Sequence, residues 1–212
     1  DPLWSRGLGD VYKRQALHFG LHHPQRALSL VVAGCGYGAE KNMQDQFRVE
    51  AEATASFIEE FSNEAFADKY AEGPTRVQFK SKDPRGWLEF RNQLAEHSIR
   101  GSVLTMRGVQ ARRPSLYDLE DQMRQLTVPT LILTGDEDEP CLIPGVFMKR
   151  LIRSSALITL ANAGHTINLE VPDEFNQAVD QFLTQVRSGR WPVREAATEA
   201  GGSILGMNED QS

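Results

Sequence analysis

The sequence predicts an α/β fold in which a small parallel sheet is flanked by helices and interrupted by a long helical insert. Three observations carry that prediction. Ala27–Ala33 (ALSLVVA), Pro129–Thr134 (PTLILT) and Ala156–Leu160 (ALITL) are largely apolar runs of strand length. Such runs suit strands buried on both faces of a parallel sheet. Each closes on a turn rich in glycine or polar residues: Gly34-Cys-Gly-Tyr-Gly38, Gly135-Asp-Glu-Asp-Glu-Pro140 and Ala161-Asn-Ala-Gly-His165. Between Lys41 and Thr127 no strand pattern of any strength appears, and the periodicity is helical.

The elements follow in order. Ala16–Pro24 (ALHFGLHHP) is a short helical stretch ended by proline. After the first strand, Gln46–Tyr70 reads as a long amphipathic helix or helix pair. Phe47, Ala51, Thr54, Ile58, Phe61 and Ala65 step by threes and fours along one face. Gly73-Pro74 breaks it. Trp87, Phe90 and Leu94 mark another helix, and Leu116–Gln125 a shorter one. Val146–Ile152 is the crossover helix between the second and third strands. Pro172 opens a last helix with the apolar stripe Phe175, Val179, Phe182, Leu183 and Val186. Arg190–Ser212 is a polar tail with Gly201-Gly202, expected to be loosely ordered.

Composition narrows the function classes. The 212 residues hold 23 basic and 29 acidic side chains, a formal charge of −6. That is not the concentrated basic surface of a nucleic-acid binder. No apolar run approaches the ~20 residues of a membrane span. Two cysteines, Cys35 and Cys141, are too few for a disulfide framework or a cysteine-based zinc site. The expectation is a soluble, cytoplasmic protein acting on a small molecule, with no nucleic-acid or membrane partner.

Candidate chemistry sits at two strand ends. In an open parallel sheet the C-terminal ends of the strands carry the site. Asp138 lies just past the second predicted strand and His165 just past the third, 27 residues apart (165 − 138). That spacing suits strand end, crossover helix, strand, strand end. A carboxylate there can orient and stabilise an imidazole. A turn aspartate and a polar loop histidine would satisfy the same spacing.

The local strings are more specific. PTLILTGDEDEP and NAGHTINLEVPDEFN resemble the late part of the α/β-hydrolase fold: strand, G-x-x-D, crossover helix, strand, G-H, then an E-x-P-x-x-F helix start. Gly135 and Asp138 match G-x-x-D, Gly164-His165 matches G-H, and Glu170, Pro172 and Phe175 match the helix start. The resemblance implies Asp138 as the triad acid and His165 as the general base. ALHFGLHHPQRALSLVVAGCG resembles the helix after the nucleophile and the following strand. The helical insert, about 41–125, falls where the family carries its lid. The resemblance thus covers about 16–189 and implies the last three parallel strands of such a domain with flanking helices. It also implies that no cofactor or metal is needed. Gly34, Cys35 and Met106 are candidates for lining the pocket.

The family's nucleophile does not appear. Its strained strand-to-helix turn has the pattern G-x-S-x-G, which occurs nowhere in these 212 residues. In relatives the A-L-x-F-G string lies six residues after the nucleophile, and counting back from Ala16 (16 − 6) gives Asp10. An aspartate nucleophile occurs in haloalkane dehalogenases and epoxide hydrolases. Here Leu8 and Tyr12 stand where the elbow needs glycines. Ser5 is too far from the helix, with Leu3 at its first glycine position. The opening string DPLWSRGLGDVYKRQ, residues 1–15, has no helical or strand period. It resembles a peptide that recurs where reading frames are assembled from metagenomic reads, and reads as such an artefact or as a disordered terminus. The expectation is therefore a fragment of a Ser-His-Asp type hydrolase of esters, lactones or related bonds, itself inactive. A first strand without its neighbour would also expose an apolar edge, so the chain alone is expected to be insoluble or unstable. The alternatives are an Asp-nucleophile enzyme, or a non-catalytic ligand-binding or signalling member of the fold.

Other residues invite competing readings. Gly34, Gly36 and Ala39 fit G-x-G-x-x-A, but no second strand with a terminal acid follows. Glu59 and Glu60 sit in a helical pattern instead. His18, His22 and His23 share one segment with no acidic or cysteine partner nearby, which favours surface or packing roles. Cys35 follows a strand but lies one strand too late for an elbow nucleophile. Arg112-Arg113 fits a solvated face better than a site for an acidic substrate group.

Overall fold

A computed structural model of the chain describes residues 9–36 and 41–195, with 9–14 as backbone alone. Three parallel strands, β1 (Leu30–Ala33), β2 (Thr130–Gly135) and β3 (Ser155–Leu160), lie in the order β1-β2-β3. Leu30 pairs with Thr130, and Thr130 with Ser155. The register brings the C-terminal ends of all three strands to one side of the sheet.

The alternation of each strand fills two cores. Leu30, Val32 and Ile132 face one side, against Leu17, Met123, Met148 and Leu151. Leu17 lies on α1 (Gly9–His22). The others lie on α7 (Glu120–Gln125) and α8 (Glu139–Leu151). Leu131 and Leu133 face the other side with Leu160, Ile167 and Phe182. There the cover is α10 (Pro172–Arg187). Full burial of each such side chain contributes about 1.5–3 kcal/mol. Only β2 is buried along its whole length; β1 alternates buried and half-buried, and β3 is half-exposed in its middle. A strand open on one edge reads in sequence like a central one, because its inward residues are equally apolar. Among the described residues β1 has no strand on its outer edge.

The insert is a separate helical layer. It comprises α2 (Gln44–Glu60), α3 (Asn63–Ala71), α4 (Val77–Lys82), α5 (Pro84–Ala95) and α6 (Ile99–Thr105), with a π-helical turn at Met106–Gln110. Its own core is Ala55, Ile58, Phe66, Ala67, Leu94 and Val103. As expected, no strand occurs in it among the described residues. The long helical segment is a helix pair, broken at Ser62, whose φ of 138° is a costly conformation for a non-glycine residue. The Ser62 hydroxyl offsets part of that cost by capping α3, accepting from Ala65 N at 3.3 Å. The predicted stripe does not run through the break: Phe61 is 57% exposed, and the buried face of α2 is Ala51, Ala55 and Ile58.

Four boundaries differ from the sequence expectation. Ala27–Ser29 stays outside β1, and Leu28 is 89% exposed. α1 begins at Gly9 rather than Ala16, so residues 9–15 of the segment set apart as artefact or disordered are helical. Helix propagation adds one hydrogen bond per residue and needs no apolar period of its own. α8 begins at Glu139, seven residues before Val146 (146 − 139). Pro140 fits its first turn, where the missing N–H costs nothing. Finally, 190–195 is docked rather than loose. Trp191 stacks edge-on against Phe182 at 4.6 Å and donates to Ser154 O at 2.7 Å. Arg194 donates to the carbonyls of Lys149 and Arg150 at 3.2 and 2.5 Å. The rest of the predicted tail, 196–212, lies outside the described residues.

Candidate active site

The turns after β2 and β3 are stitched to each other before either carries a functional side chain. Asp136 N donates to Leu160 O, and Glu137 N to Ala163 O, each at 3.0 Å. In return the Asp136 carboxylate accepts from Ala163 N at 3.0 Å. Asn162 adopts φ +53°, which asparagine tolerates and a β-branched residue would not. Gly135 is required by close approach: a Cβ there would strike the carbonyl oxygens of Ala163 and Gly164. Helix α4 clips this assembly to the insert, Gln78 bonding the Glu137 carboxylate and Lys82 the Asn162 carbonyl.

Those backbone bonds, chiefly from Asn162 and Ala163, hold the Asp136 carboxyl below the usual range. The folded state therefore binds fewer protons than the unfolded chain there. Its stabilising contribution is complete above the unfolded value of about 3.9 and disappears as pH falls through the lower folded value. Thermal melts should show the wild type more stable than Asp136→Asn at pH 6, with the gap narrowing progressively as pH is lowered below the ordinary aspartate range. A gap independent of pH would contradict this.

On this frame the Asp138 Oδ2 and His165 Nδ1 atoms lie 2.8 Å apart. The two side chains are 0% and 4% exposed. Asp138 stands at the N-terminal boundary of α8, and its carbonyl accepts from Cys141 N at 2.8 Å. The structure thus brings the two candidate residues into direct contact. A solvated turn aspartate and an independent loop histidine are not what the fold builds.

Two neighbours of His165 carry no such assignment in the sequence. Glu170, at the end of α9 (Ile167–Glu170), is buried at 6% exposure. One carboxylate oxygen accepts from Gly164 N at 2.6 Å; the other accepts from Thr166 N at 2.8 Å and from its hydroxyl at 2.7 Å. The amides on both sides of His165 are therefore held by one carboxylate. The signal that could find it is the Thr166-to-Glu170 spacing, which acts like a capping box. Cys141 is the other, its sulfur 3.8 Å from His165 Nδ1. Asp138, Cys141 and His165 place a carboxylate, a thiol and an imidazole within 4.8 Å of one another.

A cavity of about 560 Å³ opens from this pair into the insert. Asp138, Pro140 and His165 form its floor, and its walls include Phe57 from α2, Phe66, Lys69 and Tyr70 from α3, and Pro74 and Thr75 beyond. Gly34, Cys35 and Met106, the expected lining residues, do not line this cavity. Gly34, at φ +56°, ends β1, and Cys35 is packed in the core beneath the sheet. Met106 packs against the core of the insert. Gly36 abuts the backbone of Pro140 and Cys141, supporting α8 from behind. His18 stacks on His22 along α1, and the Arg113 guanidinium lies 4.2 Å from the centroid of the Phe47 ring. Asp10 falls in the first turn of α1 with its side chain outside the described residues; Ser5 and Ala39 lie outside them altogether.

A crossover-connected parallel sheet, with an Asp–His pair at adjacent strand ends under a helical insert, gives the chain the α/β-hydrolase fold that its structural neighbours share. No family model matches the sequence. The chain is 25% identical over 177 residues to a Bacillus subtilis protein assigned as 2-succinyl-6-hydroxy-2,4-cyclohexadiene-1-carboxylate synthase, covering 82% of this chain and 63% of that one. It is 31% identical over 115 residues to the proline iminopeptidase of Saccharolobus solfataricus, covering 54% of this chain and 34% of that protein. Among solved structures it superposes on MenH from S. aureus with a TM-score of 0.76 at 24% identity, covering 82% of this chain and 65% of that chain. It thus spans less than two thirds of the length of each of these proteins. Among the described residues no helix is long and apolar enough to cross a membrane.

Proposed function

We propose that this chain supplies the acid and base of a hydrolase that cleaves an ester, lactone or related small-molecule bond by a Ser-His-Asp type mechanism. The 2.8 Å contact between Asp138 Oδ2 and His165 Nδ1, out of solvent, carries the reading. In that mechanism the carboxylate accepts a hydrogen bond from Nδ1–H and so fixes the tautomer. Nε2 is left to take the proton of an attacking hydroxyl and return it to the leaving group. The insert acts as a lid, since its helices wall the cavity above the pair. The names of the relatives, a synthase of a cyclohexadiene carboxylate and an iminopeptidase, support small-molecule or peptide-bond chemistry in general rather than one substrate.

The 212 residues contain no G-x-S-x-G elbow, so residues 1–212 alone should hydrolyse p-nitrophenyl esters no faster than buffer. Joined to an N-terminal segment carrying that elbow, the protein should turn them over, and His165→Ala should then cost ~10⁴-fold or more in kcat. Turnover by the joined protein that survives His165→Ala would overturn the assignment.

A further inference from the structure

Behind the cavity wall lies a charge that no carboxylate among the described residues balances. Arg76 is 1% exposed. Its guanidinium donates to the Tyr70 hydroxyl at 2.5 Å and to the Thr75 hydroxyl and carbonyl at 3.0 Å. It lies 4.7 Å from the centroid of the Tyr70 ring and 5.5 Å from that of Phe90. Among the described residues no carboxylate is within ion-pair distance of it, and its Nε has no acceptor. A buried cation is normally retained with an anion beside it, because desolvation costs several kcal/mol. Tyr70 and Thr75, the two side chains it holds, are themselves part of the cavity wall. Lys69 stands on the same wall, exposed, with its ammonium 4.3 Å from the centroid of the Phe57 ring and no carboxylate partner among the described residues. The insert contributes one carboxylate to the lining, Glu50, which accepts from Gln46 at 2.9 Å.

From this we infer that the cavity selects a substrate bearing a carboxylate-type anion. The anion lies against Lys69, Tyr70 and Thr75, in front of Arg76, and an apolar or aromatic body lies among Phe57, Phe66 and Pro74. Hydroxyls whose lone pairs are engaged by a guanidinium are better donors to an incoming carboxylate. The low dielectric of the wall keeps the Arg76 field from being screened. The inference rests on the reading of this cavity as the substrate site, and it adds the charge class of the substrate.

Calorimetric titration of the chain joined to an N-terminal segment that completes the sheet, with phenylacetate and with phenylacetamide, tests it without requiring turnover. The carboxylate should bind about tenfold tighter or more than the neutral amide, as expected for a hydrogen-bonded charged group. Lys69→Met and Thr75→Val should each reduce that ratio severalfold, and Arg76→Met should bring it close to one. If Arg76→Met fails to fold, the first two variants still decide the matter. Equal affinity for the two probes overturns the charge selection and leaves the cavity reading standing. Failure of both probes to bind, with the His165 ring resonances unmoved by either, overturns the cavity reading and this inference with it.

Discussion

Glu170→Ala is expected to destabilise the protein by about 3 kcal/mol or more, and to free the loop that carries His165. The substitution removes three hydrogen bonds of 2.6–2.8 Å to one buried carboxylate. Hydrogen bonds to a charged group contribute about 1.5–3 kcal/mol each, and the abandoned donors, Gly164 N and Thr166 N, would be left without partners in a dry site. For a chain of this size the loss corresponds to roughly 6–12 °C in Tm. Glu170→Gln should fall between the two, because its oxygen can serve one side of the loop while its amide nitrogen faces a donor on the other. A Tm within a degree of wild type for Glu170→Ala would show that the clamp does not matter.

Gly135→Ala should be at least as damaging, although it adds a single methyl group. The added carbon would meet the backbone oxygens of Ala163 and Gly164, and backbone cannot rotate away as a flexible side chain can. The turns would have to separate, at a cost of about 3 kcal/mol or more. The separation would pull His165 away from Asp138, so the two measurements should fail together. A folded Gly135→Ala protein with the imidazole still bound to the carboxylate would contradict the claim that the turns are held at contact distance.

What was legible in the sequence follows from the physics of each element. The three strands were legible because a strand in a parallel sheet must be apolar over several consecutive residues, and little else in the chain is. The ends were less so. Ala27–Ser29 looks like strand by its place in an apolar run, yet the β1 ladder runs only from Leu30 to Ala33. Asp138 and His165 could be placed at strand ends, but that spacing suits plain turn residues equally, and only the resemblance of the G-x-x-D and G-H strings to the α/β-hydrolase pattern singled them out. The pocket was not legible. Phe57, Phe66, Tyr70 and Thr75 are ordinary helical and turn residues until α2 and α3 are packed over the strand ends, and the break at Ser62 that sets their angle has no strong signal. Arg76 illustrates the same limit: an arginine after a proline-containing turn reads as surface, and only packing shows it to be buried. Gly34 and Cys35 end a strand on the correct side of the sheet, yet both are buried and Cys35 belongs to the core cluster around Leu30 and Val32.

The central claim is that Asp138 holds His165 in the tautomer a general base needs. The most direct test is nitrogen-15 NMR of the histidine-labelled chain, joined to an N-terminal segment that completes the sheet, at a pH where the imidazole is neutral. The account predicts an imidazole protonated at Nδ1, with a strongly deshielded Nδ1 proton that is lost or shifted upfield in Asp138→Asn, and Nε2 bare. An imidazole protonated at Nε2, with the same spectrum in Asp138→Asn, would contradict it.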